Sequence, residues 1–247
     1  MREISTKIQD YWNRRSQDFS AVRRKELASS DAAAWQSYIM SYLPHGRQLQ
    51  ILDIGTGPGF LAILMARLGH HVTAIDSSTG MITEARRNAA ENQVSIDFRT
   101  GDAQVLPFPS DAFDVVLSRN LTWNLPDAGA AYRDWHRVLR DGGLLLNFDS
   151  DYGPVRFTST VADEKNIHHD LDSALIEECE LLKDALSISH ECRPVWDMYR
   201  LMEIGFTDCR CCEDIRPIVH TSPAMQYDSA PLFCLSARKK GLAQCAY

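Results

Sequence analysis

The stretch that most restricts the fold is ILDIGTGPGF, Ile51 to Phe60, an apolar run followed by glycines at positions 55, 57 and 59. A short apolar run closed by glycine reads as a strand buried on both faces of a parallel sheet. Glycines at that spacing permit a tight turn and bring the backbone close to whatever lies at the start of the next helix. Three kinds of ligand fit these ten residues: a dinucleotide pyrophosphate, a mononucleotide or a sulfonium nucleoside.

The rest of the chain repeats the unit. QLQILDIG is followed by a helical pattern from Phe60 to Leu68 that Gly69 closes. HHVTAID gives a second strand, Thr79 to Ala90 a helix, VSIDFRTGDA a third strand, FDVVLSRN a fourth, Ala128 to Leu139 a helix and GGLLLNFD a fifth. Strands alternating with helices indicate βαβ units. After Asp149 the rhythm breaks into a polar, helix-patterned stretch. It resumes with a helix at Val195 to Glu203 and two closing strands, GFTDCRCCEDI and APLFCLSARKK. The expected fold is an α/β doubly wound, mostly parallel sheet with helices on both faces. Residues 1–247 read as one domain. Residues 1–45, closed by Pro44 and Gly46, form a helical cover, and residues 154–192 a helical insertion after the fifth strand that acts as a lid. Both attachments belong at the carboxyl edge, where such sheets bind ligands.

Composition narrows the partners. A net charge of −7 gives no basic surface for nucleic acid or anionic membrane. No apolar run reaches the length of about 20 residues that spans a bilayer. The N-terminus is charged from Arg2, which excludes a secretory signal, and seven cysteines read as reduced thiols. These features predict a cytoplasmic protein, monomer or homodimer, acting on a small molecule.

Two reading frames compete at the glycines. Gly57 to Ala62 fits the G-x-G-x-x-A dinucleotide pattern, but the frame from Asp53 is D-x-G-x-G-x-G. A carboxylate just ahead of the turn repels a diphosphate and suits an ammonium or sulfonium. In this frame the chain resembles the class I S-adenosylmethionine (SAM)-dependent methyltransferases, of the small-molecule, type 11-like kind. The other landmarks follow in order: Asp76 at the tip of the second strand, SSTGMITEARRNA with Met81, Gly101-Asp102-Ala103 after the third, LPFPSDAFDVVLSRN, and RVLRDGGLLLNF. The resemblance covers Leu49 to Phe148. It implies a Rossmann-like, seven-stranded sheet with an antiparallel last strand, SAM as cofactor, S-adenosylhomocysteine (SAH) as product, and cofactor contacts from Tyr11, Asp53, Gly55, Gly57, Gly59, Asp76, Ser77, Met81, Gly101, Asp102, Ala103 and Asn120. Asp76 is expected on the ribose hydroxyls, Met81 on the adenine face and Asp102 with its neighbouring amide on the adenine edge. The N-P-P-aromatic signature of enzymes that methylate base amines or glutamine amides is absent. Arg119-Asn120-Leu121-Thr122-Trp123 stands in its place.

Trp123, Asp149 and Tyr152 follow the carboxyl ends of the fourth and fifth strands and are candidate acceptor contacts. No general base is evident; Asp149, His168 and His169 are the candidates. Arg14 and Arg15 read as solvated helix charges, and His136 as structural. CRCC at 209–212 lacks a C-x-x-C pair, so the expectation is no metal. Four activities are consistent with the chain: small-molecule methyl transfer, a non-catalytic SAM- or nucleoside-binding regulator, a metalloid (arsenite-type) methyltransferase using Cys179, Cys192 and a later cysteine, and an NAD-dependent oxidoreductase.

Overall fold

The computed structural model describes residues 2–160, 167 and 171–241. β1 (Gln50–Ile54) lies mid-sheet with Ile51, Leu52 and Ile54 fully buried. Pairing on both sides satisfies its backbone, so both faces must be apolar. It pairs in parallel with β2 (His71–Asp76) and β4 (Phe113–Arg119). β2 carries β3 (Asp97–Thr100) and β4 carries β5 (Leu139–Ser150), again in parallel. β7 (Leu232–Lys239) runs antiparallel to both β5 and β6 (Phe206–Cys212), giving the order β3-β2-β1-β4-β5-β7-β6. The seven-stranded sheet with an antiparallel last strand is as expected. β3 is shorter than its sequence pattern because, at the edge, it has one neighbour and pairs over four residues.

Alternate strand residues feed two cores, as a period of two requires. Ile51, Val115, Leu117, Leu144 and Leu146 pack under α2 (Ser30–Met40), α3 (Phe60–Arg67) and α4 (Thr79–Glu91). Leu52, Val116 and Leu145 pack under α5 (Ala128–Val138) and α8 (Val195–Ile204). Local capping fixes where helices begin. Ser78 accepts from the Met81 amide at α4, and Asp127 accepts from the Ala130 amide at α5.

The N-terminal segment is two helices. α1 (Arg2–Leu27) stops before Ser29, whose hydroxyl caps α2 by accepting from Asp31 N at 3.2 Å. After β5 come α6 (Phe157–Thr160) and α7 (Ser173–Asp184). The Lys183 side chain is fully buried, and its ammonium donates to the carbonyls of Tyr152 (3.2 Å) and Val155 (2.6 Å), pinning α7 to the chain leaving β5. α9 (Arg216–Val219) lies between β6 and β7. Among the described residues no helix is long and apolar enough to cross a membrane.

Candidate active site

Strand order reverses between β1 and β4, and the loops leaving their carboxyl ends diverge to open a crevice there. Gly55 and Leu121 meet across it; a Cβ on Gly55 would lie 2.7 Å from the Leu121 side chain. Above this contact lies a cavity of about 410 Å³. Its floor is the glycine loop and the ends of β2 and β4, its roof is α1, and its far wall comes from Trp123, Tyr152, Phe157, Tyr227 and Asp228.

The glycines do three different jobs. Gly57, at φ +52°, is the one facing the cavity with room beyond it: a Cβ placed there would come no nearer to its surroundings than 3.7 Å, from Phe19. Gly55 clears Leu121, and Gly59 clears Ala85, whose Cβ is 3.3 Å from where a Gly59 Cβ would lie. Gly59 is not on the cavity wall. The expected cofactor contact at Gly59 is therefore corrected: it lets α4 approach the turn.

Asp53 lies beneath the turn. Its Oδ2 accepts from Thr56 Oγ1 (2.6 Å) and Ala62 N (3.1 Å), tying strand, turn and α3 together. Oδ1 accepts no hydrogen bond from the described residues, and no arginine or lysine reaches ion-pair distance. Burial pushes the carboxyl up to about 7, against the two hydrogen bonds that favour the ion. A ligand carrying positive charge would supply the missing countercharge. Asp76 is fixed by backbone: Gly57 N donates to Oδ2 and Ser78 N to Oδ1, both at 2.9 Å. Burial pushes it up to about 6. Each oxygen keeps a lone pair for a vicinal diol. Ser77, buried Met81, Gly101, Asp102 and Ala103 complete this end of the wall. The Ser77 carbonyl accepts from Gln9 Nε2 at 2.6 Å, tying α1 over the loop.

Asn120 has a left-handed backbone (φ +53°), rare for a residue with a Cβ. Its amide donates to the Phe148 carbonyl at 2.8 Å and its carbonyl accepts from Trp123 Nε1 at 3.0 Å. The turn sets Trp123 edge-on to Tyr152, with centroids 5.0 Å apart, and both line the cavity. Asp149 is corrected. It lies fully buried beneath Trp123, accepting from Trp123 N (2.9 Å), Ser150 N (2.9 Å), Thr122 and Arg193 Nη1 (3.2 Å), and is absent from the wall. Arg193 also grips Asp197 with Nε and Nη2, both at 2.9 Å. Asp149 thus anchors the turn that carries Trp123 and cannot reach an acceptor. His168 and His169 lie outside the described residues.

On the roof, Tyr11, Arg15, Phe19 and Arg23 recur every fourth residue and form one inward stripe. This corrects the solvated reading of Arg15: it is buried, with Nη1 donating to the Tyr11 hydroxyl at 2.8 Å. Arg14 is exposed and pairs with Glu178. Burial raises the Tyr11 phenol, which stays neutral. Phe19, Arg23, Arg119, Tyr227 and Asp228 were missed from the sequence. The four-residue ladder on α1 was the available signal for the first two. His136 packs edge-on against Phe206 at 4.7 Å, away from the cavity. Among the described residues no three His, Cys, Asp or Glu side chains group to hold a metal. Of the cysteines, only Cys179 among those described lines the cavity.

Residues 52–147 match a family described as a methyltransferase domain. Similar curated proteins include a ubiquinone biosynthesis O-methyltransferase of Chelativorans sp. (strain BNC1), 32% identical over 151 residues that make up 59% of either chain. Another with the same name, from Caulobacter vibrioides, is 41% identical over 99 residues, 40% of this chain and 39% of that one. The chain thus spans less than two thirds of the curated relatives' length. A SAM-dependent methyltransferase of Thermotoga maritima matches with TM-score 0.60 at 18% identity, covering 94% of this chain and all of the other (100%). A Methanococcus maripaludis protein of the same proposed class gives TM-score 0.63 at 18% identity, covering 94% and 95%. At such identities the shared property is the fold.

Proposed function

We propose that the protein transfers the methyl group of SAM to a small-molecule acceptor held under α1; the match of residues 52–147 to a methyltransferase-domain family supports this reading. The observation that carries this reading is Asp53: a buried carboxylate on the cavity wall with no cationic partner, one strand away from the backbone-held Asp76. A ligand with a diol at one end and a positive charge at the other satisfies both. NAD would set its diphosphate against the Asp53 side of the turn, where like charges repel.

In this reading Asp76 accepts the ribose hydroxyls, Met81 and Ala103 flank the base, and Asp102 and the Ala103 amide read its edge. Gly57 gives the backbone room to lie against the methionine chain. Bound SAM supplies a methyl group on a sulfonium, a leaving group that needs no protonation. The chain's own task is alignment, which contributes roughly 7–11 kcal/mol when the reacting atoms are held in line. Tyr11 and Trp12, edge to face at 5.2 Å, offer aromatic surface to the positive sulfur, worth roughly 0.5–2 kcal/mol. Trp123, Tyr152 and Phe157 form the acceptor wall and exclude water. Asp228 lies on that wall beside the Tyr152 hydroxyl at 3.4 Å, and burial raises its affinity for a proton. It is placed to receive the proton of a hydroxyl acceptor.

Calorimetric titration with SAM, SAH and NAD tests the reading. SAM and SAH bind, and NAD does not. Heat with NAD and none with either sulfur compound would reject it. Turnover of SAM to SAH with a panel of hydroxyl, amine and thiol acceptors separates an enzyme from a regulator that only binds the nucleoside.

A further inference from the structure

Glu26, in the last turn of α1, is fully buried between two guanidiniums. Arg23 Nη1 donates to its Oε2, and Arg119 Nη2 lies 2.9 Å from its Oε1. The two arginines hold Glu26 ionised, down to about 2. One carboxylate therefore faces two cations, which leaves a positive charge inside the protein. Both arginines line the cavity, and their side chains are only 7% and 8% exposed. Arg119 Nε and Nη1 are buried with no hydrogen-bond partner, and Arg23 Nε and Nη2 donate to no described residue. The guanidiniums lie over aromatic rings, Arg23 4.6 Å from the Phe19 centroid, Arg119 4.4 Å from Trp35 and 4.9 Å from Phe60.

Among the described residues no carboxylate besides Glu26 comes within ion-pair distance of Arg23 or Arg119. Asp31 accepts from Thr221 N, Ser222 N and the Tyr227 hydroxyl. Asp53 spends Oδ2 on Thr56 and Ala62. Asp228 accepts from Tyr152 and Ala230 N, and Arg216 is its nearby cation. Burial keeps His220 neutral. A buried guanidinium with idle N–H groups is strongly disfavoured unless an anion arrives to pair with it, and its planar fork suits a carboxylate. Tyr227 and Tyr152 line the same cavity on its acceptor side. Phe19, Trp123 and Phe157 add aromatic surface to the cavity, and Asp228 stands among them.

Building on the methyltransferase reading, we propose that the acceptor is an aromatic carboxylic acid whose carboxylate is held by Arg23 and Arg119. The ring lies among the aromatic walls, and the arginines set the reach of the reacting atom toward the methyl. The methionine carboxylate of SAM is the competing source of the same chemistry.

Protein saturated with SAH is titrated with benzoate, cinnamate and indole-3-acetate, each beside its own amide. At least one acid binds about ten-fold or more tightly than its amide, the difference expected of one lost charge-assisted pair. Arg23→Met removes that preference and Arg23→Lys restores part of it; Glu26 keeps Arg119 as partner in either variant. Acids and amides that bind alike, or do not bind, overturn the proposal. If Arg23→Met weakens SAH but leaves 5′-methylthioadenosine, which has no carboxylate, unchanged, the arginine serves the cofactor and the proposal also fails. Should the variants not fold, the acid–amide contrast on the unaltered protein decides. Absence of SAH binding by the unaltered protein would instead reject the methyltransferase reading.

Discussion

At the glycine-loop end of the cavity, main chain positions the wall: the amides of Gly57 and Ser78 hold Asp76, and the amide of Ala62 is one of two donors to Asp53. At the acceptor end the wall groups are set by other side chains. Arg23, Glu26 and Arg119 fix one another, and Trp123 packs edge-on against Tyr152. The first arrangement joins the turn after β1 to the end of neighbouring β2, 19 residues on, and depends on backbone angles. The second joins α1 to β4, and the turn after β4 to the chain after β5, segments farther apart in the chain. A cofactor common to many proteins can be bound by the first kind, whereas a particular acceptor is fitted by the second, where single side chains change without disturbing the turn.

Substitutions can break this contrast. The largest effect is expected at Gly57→Val, where a β-branched side chain meets a positive φ and fills the space facing Phe19. SAH binding measured by calorimetry should disappear while the chain still folds. Retained affinity would show that the turn is not the cofactor's backbone contact. Next comes Arg193→Met, which leaves Asp149 and Asp197 buried without their cation. A cost of about 3–5 kcal/mol is expected, read as a lower Tm in a thermal melt. An unchanged Tm would show that the network under Trp123 is dispensable.

The smallest effect is a pH dependence at the glycine-loop end. Asp53 and Asp76 are pushed up to about 7 and about 6 by burial. In the free protein the folded chain therefore takes up protons there before the unfolded chain does. Their contribution to stability is full below the ordinary carboxylate range and is lost as pH rises through about 6 to 7. A bound diol and cation favour the ionised forms, so SAH affinity should fall as pH drops from 8 to 5. Asp76→Asn should flatten that slope and weaken SAH by about 1–3 kcal/mol. An unaltered slope would place the titration elsewhere.

Much of the glycine-loop end was legible. The order Asp53, Gly55, Gly57, Asp76, Met81, Asp102 is local pattern, and each but Asp102 sits where a strand ends or a helix begins. Gly59 was misread because its spacing matches its neighbours, while only packing shows that it faces Ala85 and not the cavity. Asp149 was misread for a related reason. It follows a strand end, but the partner that draws it inward, Arg193, arrives 44 residues later. Arg15 looked like a surface charge because composition carries no record of what a helix face meets.

The sequence by itself determined the strands, the starts of helices and the glycine turn at the crevice, because alternation, capping and glycine geometry act between near neighbours. Only the tertiary structure decided which charges are buried, which of them are paired and which wait for a ligand. Ion pairing and desolvation depend on distances between segments, and those exist once the chain has closed on itself.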